Sequence, residues 1–163
     1  SSDGELIHIR PIRPEDGELE QEFVRNLSEE SRYMRFMQTM RELTPDLLVR
    51  FTQIDYDREM CFIAVSRDSE GKEVELGVSR YAISPDGKSC EFALVVADSM
   101  QSKGLGSQLM RVLINTARAK GLDYIEGDVL ANNVGMLKLM NRLGFEIEKP
   151  SYDDGVVIVK KRL

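Results

Sequence analysis

Apolar residues along this chain recur with two different periods, and the period changes where Gly and Pro punctuate the sequence. Leu6, Ile7 and Ile9 interleave with His8 and Arg10, which predicts a first strand ended by Pro11 and Pro14. Leu19, Phe23 and Leu27 then return at helical spacing. Ser28 is placed to cap a second helix, whose apolar side would carry Tyr33, Met34, Phe36, Met37 and Met40. Thr44-Pro45, a cap followed by proline at the first helical position, opens a short third helix with Leu47, Leu48 and Phe51.

Residues 61–65 form a solid apolar run, and residues 74–83 return across a turn containing Asp68 and Gly71. A second turn, Pro85-Asp86-Gly87-Lys88, leads to residues 90–97. These are so apolar that they predict a central strand covered on both faces. Leu105, Leu109, Val112, Leu113 and Thr116 make an amphipathic helix of about four turns, ended by Gly121. A strand over 124–130 follows. Met136, Leu137, Met140 and Leu143 then form a helical face stopped by Gly144, and a last strand covers 156–159. The succession predicts an α/β (α+β) fold, a mixed sheet with helices on both faces. The connection from the fourth to the fifth strand should be parallel and right-handed.

Composition narrows what such a fold can do. The 163 residues fit a single domain over 1–163, able to bury a core without disulfides or structural metal. Cys61 and Cys90 sit inside apolar runs and read as small buried hydrophobes. His8 is the single histidine, which removes most zinc schemes, Ser-His-Asp triads and an activated cysteine; no metal is expected. A net charge of −6 argues against gripping nucleic acid. No apolar run approaches the roughly 20 residues that span a bilayer. The start, Ser1-Ser2-Asp3-Gly4, is no secretion signal, so the expectation is a cytoplasmic protein with no membrane contact. It also lacks an initiator Met, which fits either an excised piece of a longer chain or residues left by cloning.

The segment Gln101-Ser102-Lys103-Gly104-Leu105-Gly106 joins the apolar strand to the long helix. The first turn of a helix has four N–H groups without intrahelical partners, and the helix dipole adds partial positive charge there. Gly104 and Gly106 remove the Cβ atoms that would hold a phosphate away, and Lys103 adds charge. A P-loop would need Gly-Lys-Ser/Thr where Gly106 is followed by Ser107-Gln108. A dinucleotide fingerprint would need Gly or Ala where Leu109 stands. Taken alone, the turn supports an anion site or a plain tight turn.

The combination of strand, Gln-x-x-Gly-x-Gly, amphipathic helix, strand, Asn133 and then Gly144-Phe145 resembles the GNAT superfamily of acetyltransferases. The matching motifs run from about Cys90 to Phe145, and the strand order on either side agrees. The resemblance implies a mostly antiparallel sheet of six to seven strands with a splayed pair, the fourth and fifth. It also implies acetyl-CoA as cosubstrate. Its pyrophosphate would lie on the N–H groups of Lys103, Gly104, Leu105, Gly106 and Ser107, with Gln101 at the motif's Gln/Arg position. The pantetheine arm would pair with Leu94 and Val96, and the Val96 N–H would face the thioester oxygen. Asn133 matches the family's Asn near the pantetheine; read alone, it is equally a helix N-cap.

Transfer to an amine needs the neutral amine. For a lysine near pH 7 that costs roughly 4–5 kcal/mol. Glu91, the acid within an otherwise apolar stretch, is the candidate base, and burial would raise its pKa. The other reading is a glutamate at the solvent-exposed start of a strand. Where many GNAT enzymes carry a tyrosine that protonates the leaving thiolate, this chain has Met140, which cannot donate and reads as core. The thiolate would leave unaided, take a proton from water, or take one from Ser151 or Tyr152.

The N-terminal half, with residues 27–36, Thr44-Pro45-Asp46 and Ile54-Asp55-Tyr56-Asp57-Arg58-Glu59, resembles the acetyltransferase domain of bacterial Pat-type protein lysine acetyltransferases. In that group Glu91 matches the catalytic glutamate, the domain is often fused to a larger one, and the acceptors are lysines of metabolic proteins such as acyl-CoA synthetases. Asp55, Asp57 and Glu59 either attract a basic, lysine-bearing surface or form an ordinary solvated loop. Arg32 and Arg35 either line the site or face solvent. Two other readings use the same cofactor apparatus: a small-molecule amine N-acetyltransferase and a non-catalytic acyl-CoA sensor. Whether the protein is a monomer or a homodimer is left open by the sequence.

Overall fold

The computed structural model describes residues 6–149 and 155–163. Strands are β1 (His8–Pro11), β2 (Glu59–Arg67), β3 (Glu73–Ile83), β4 (Ser89–Val96), β5 (Tyr124–Leu130), β6 (Glu146–Glu148) and β7 (Val156–Arg162). Helices are α1 (Gly17–Asn26), α2 (Glu29–Phe36), α3 (Pro45–Thr52), α4 (Leu105–Ala119) and α5 (Val134–Arg142). The strands form one seven-stranded sheet in the order β1-β2-β3-β4-β5-β7-β6. All neighbours are antiparallel except β4 and β5, whose parallel pairing needs the crossover that α4 supplies. This is the GNAT fold that the sequence motifs imply.

Alternation along β4 divides the core. Cys90, Phe92 and Leu94 pack with α4 and α5, through Leu105, Leu109, Leu113, Leu139 and Met140. On the opposite face Val95, with Val78, Ile63 and Cys61, meets Phe23 and Val24 of α1 and the apolar side of α3. Both cysteines are unpaired and buried, and burial pushes each thiol up to about 12. They are inert core residues, as the sequence indicates.

Several boundaries differ from the sequence pattern. β1 starts later and runs through Pro11, which an edge strand tolerates because the missing N–H faces no partner. α2 ends at Phe36, because Met37 turns left-handed (φ 57°) and returns its N–H to Tyr33 O at 2.7 Å. Met40 therefore lies outside the helix, and Tyr33 faces solvent rather than the core. β4 is not covered throughout: Glu91 is exposed, and Ala93 and Val96 are half-buried. β6 has only three residues, all exposed, and carries no apolar pattern to announce it.

Candidate active site

Three residue pairs join β4 to β5: Ser89 with Tyr124, Cys90 with Ile125 and Glu91 with Glu126. Beyond Glu91 the strands part, and Phe92 to Val96 continue along β3 alone. The ring of Phe92 lies against β5, where a Cβ on Gly127 would stand 2.7 Å from the ring. Phe145 backs that ring at 5.5 Å. The splayed pair implied by the family resemblance is therefore present.

The direction of the backbone groups on β4 follows from two hydrogen bonds. Ala97 donates its N–H to Leu76 O beside β3 at 2.8 Å, and Lys88 O accepts from Asp123 beside β5 at 2.7 Å. Strand residues point their backbone groups alternately to the two sides. Odd-numbered residues of β4 thus face β3, and even-numbered ones face β5. The N–H groups of Leu94 and Val96 point into the opening. The Val96 carbonyl, on the same side, accepts from Gln101 Nε2 at 3.2 Å.

At the end of the opening the chain reverses into α4. Gly104 takes φ 87° at the N-cap, and no side chain caps the helix. The first helical bond runs from Gln108 N to Gly104 O at 3.1 Å, so the N–H groups of Leu105, Gly106 and Ser107 have no acceptor one turn back. Gly106 packs closely: a Cβ there would sit 3.2 Å from Leu139, tight enough to shift that side chain slightly, and 3.6 Å from Leu94. Lys103 is exposed on the rim of this turn. Serine, threonine or aspartate, common at a helix start, would satisfy one of these amides; glycine satisfies none.

A polar clamp ties this turn to α2. Asp98 accepts from Ser28 N (3.0 Å), Ser28 Oγ (2.8 Å) and Ser31 Oγ (2.9 Å). Burial would raise the Asp98 carboxyl, but these donors hold it below the ordinary value. Gln101 Nε2 also donates to Ser31 Oγ at 3.2 Å. The Gln101 side chain thus braces the turn against the α2 start.

Two cavities meet at Glu91, Phe92 and Ala93. One, of about 250 Å³, lies between Met34–Met37 of the α2 end and the opening, with Gly127, Asp128, Asn133 and Met136 on its far wall. The other, of about 210 Å³, is bounded by Phe51, Ile54, Glu59, Arg80 and Tyr81. Glu91 is exposed where they join, so the burial that would raise its pKa does not hold, and the solvent-exposed placement that the sequence also allowed does. The cause is its place in β4: the preceding strand residues are covered by neighbours, whereas Glu91 projects where the strands begin to part.

The arginines separate into different roles. Arg32 is buried and donates to the carbonyls of Arg25, Leu27 and Met40, fastening the chain around α2. Arg35 lines the larger cavity, its guanidinium 4.6 Å from the Phe36 ring centre and 5.7 Å from that of Phe51. Burial, and next the charge of Arg80, lower the Arg35 pKa to about 10. Arg80 stands 4.2 Å from the Phe51 ring centre and pairs with buried Glu20 at 3.2 Å. Arg80 was readable in the sequence as the cation inside an apolar strand, but its role was not anticipated.

Asn133 both caps α5, accepting from Met136 N at 3.3 Å, and lines the cavity. Met140 is fully buried core. Ser151 and Tyr152 lie outside the described residues. The acidic loop is partly self-contained, since Asp55 accepts from Asp57 N and Glu59 N while Glu59 returns a carboxylate oxygen to Asp55 N. Glu59 alone of the three acids reaches the smaller cavity.

The sheet thus combines a parted strand pair with a helix start that no side chain caps. The family model for the acetyltransferase (GNAT) domain matches residues 7–146, and the chain belongs to that family of acetyl-CoA-dependent N-acetyltransferases. It is 38% identical over 156 residues to the acetyltransferase PA5475 of Pseudomonas aeruginosa, covering 96% of this chain and 83% of that one. It is 32% identical over 141 residues to the acetyltransferase Pat of Mycolicibacterium smegmatis, covering 86% of this chain but only 41% of that longer protein. Among solved structures, the GNAT domain of S. lividans PAT superposes with a TM-score of 0.86 at 29% identity, over 99% of this chain and 93% of that one.

Proposed function

We propose that this single domain transfers the acetyl group of acetyl-CoA to the ε-amino group of a lysine on a metabolic protein, such as an acyl-CoA synthetase. Glu91 acts as general base. The observation that carries the reading is the alignment of the Leu94 and Val96 N–H groups with the uncapped amides of α4, with Glu91 at the apex of the opening. The amides at Lys103 to Ser107 receive the pyrophosphate. Leu94 and Val96 hold the extended arm as a strand would, and the Val96 N–H meets the oxyanion formed during attack. Acetyl-CoA supplies an activated thioester. Glu91 takes the proton from the amine, directly or through one water, and its exposure suits an acceptor that arrives from solvent. Met140 donates nothing, so the thiolate leaves unaided or is protonated by water.

Likeness to the Pat acetyltransferases supports the protein lysine as acceptor. A cytoplasmic setting is supported by the two buried, unpaired cysteines. Glu91→Gln keeps the shape and removes the base. It should lower kcat by roughly 100-fold or more, while calorimetry shows acetyl-CoA affinity within a factor of two or so. An unchanged kcat would sink Glu91 as the base. Assaying purified acyl-CoA synthetase beside a panel of small amines tests the acceptor; turnover of amines alone would select the small-molecule reading.

A further inference from the structure

Arg35 presents a cation that no carboxylate among the described residues touches. Its guanidinium is packed beside Phe36 and Phe51 on a half-buried side chain that lines the larger cavity, and among the described residues no carboxylate lies within ion-pair distance of it. Nor does any described residue accept a hydrogen bond from it. Partial burial of a charge is costly unless a partner repays it, and here Glu20 attracts the guanidinium only from beyond ion-pair distance.

The surroundings say what that partner is. Phe51 brings Arg35 and Arg80 to one neighbourhood. Arg80 lies opposite Ala93, and Ala82 opposite Glu91, so Arg80 and Glu91 project from the same sheet face on adjacent strands. Arg80 touches Glu20, whereas Arg35 feels the Glu20 charge only at longer range. The joined cavities therefore carry positive charge at Arg35, Arg50 and Arg80, and negative charge at Glu59, Glu91 and Asp128. A dianionic phosphate would meet those acids. A zwitterion satisfies both ends, with its amine at Glu91 and a planar, singly charged carboxylate on the guanidinium fork.

We propose that Arg35, supported by Arg80, is a carboxylate subsite of the acceptor cavity, so the enzyme selects acceptors that bear a carboxylate near the reacting amine. This rests on the acetyl-transfer reading above and adds the chemistry of the acceptor to it. The carboxylate belongs either to a free amino acid or to an acidic side chain close to a target lysine.

The test compares matched acceptors with the full chain and acetyl-CoA. One arm sets ω-amino carboxylates of increasing length against alkylamines of equal length. The other sets short peptides with Lys beside Glu against the same peptides with Gln. The carboxylate form should be preferred in kcat/KM by roughly ten- to a hundredfold in at least one arm, the scale of a charge-assisted hydrogen bond. The arm that shows it identifies the source. In Arg35→Gln that ratio should collapse toward one, and in Arg35→Lys it should recover in part. A wild-type ratio near one in both arms overturns the subsite without any variant, as does a ratio that Arg35→Gln leaves unchanged. If no amine in either arm is acetylated, calorimetry of the same pairs with CoA present decides: equal binding overturns the subsite. Failure of the acetyl-transfer reading shows separately, as absence of turnover on every acceptor including the acyl-CoA synthetase.

Discussion

Gly127 has no side chain because the Phe92 ring occupies the place where one would go. A methyl there would come within 2.7 Å of the ring. The ring cannot retreat freely, since Phe145 stands behind it at 5.5 Å. Gly127→Ala should therefore cost about 1–3 kcal/mol in urea unfolding, the usual range for overpacking, and should shift Phe92 in the opening. Nothing in the sequence marked this glycine, because the constraint comes from a residue 35 positions away on another strand. Glu91 was legible as a lone acid in an apolar run, with buried and exposed readings both open; the choice between them depends on where β4 leaves β5. Arg32 and Arg35 illustrate the same limit. They lie on one helix and are chemically identical, but one is fastened to three carbonyls and the other faces a cavity.

Elements that announce themselves through a long periodic pattern were read well. α4 is one, with its glycine start, and the apolar strands β2 to β5 are others. Elements decided by a single turn were not: α2 stops at a left-handed methionine, and β6 is three exposed residues recruited by β7. On β4 the alternation makes a sharp prediction. In hydrogen exchange, the amides of Ala93 and Val95, directed at β3, should be protected with or without ligand. Those of Leu94 and Val96 should become protected only when acetyl-CoA is added; protection of all four in its absence would contradict the open edge. On α5, Asn133 caps the helix and lines the cavity at once. Asn133→Ser keeps a cap, whereas Asn133→Ala removes it at a cost of about 1 kcal/mol. If Asn133 also touches the cosubstrate, calorimetry should show both variants weakening acetyl-CoA binding; if it only caps, the serine variant should bind normally.

Across the whole molecule, the layer between α1 and the sheet holds a second charged group at odds with its surroundings. Glu75 is buried, and neither carboxylate oxygen finds a hydrogen-bond donor. Burial first, and then the neighbouring Glu20 carboxylate, push its pKa well up, with Arg80 opposing. Folded Glu75 thus holds its proton more tightly than unfolded Glu75. Its contribution to stability is full below its ordinary value of 4.5 and is lost as pH climbs toward the raised folded value. Glu75→Gln should therefore unfold about 1–3 kcal/mol later than the wild type near pH 8, with the gap closing toward pH 5. Thermal melts at the two pH values measure it, and a gap independent of pH would refute it. The parted strands carry a different consequence for the molecule as a whole. A row of unsatisfied backbone groups on a strand edge is a template for any extended chain, including one from another copy that is partly unfolded. On the proposed reading, acetyl-CoA is the intended occupant, and its presence denies that edge to strangers. Solubility on prolonged warming would then track the supply of the metabolite, making the cosubstrate a guardian against clumping as well as a source of acetyl groups.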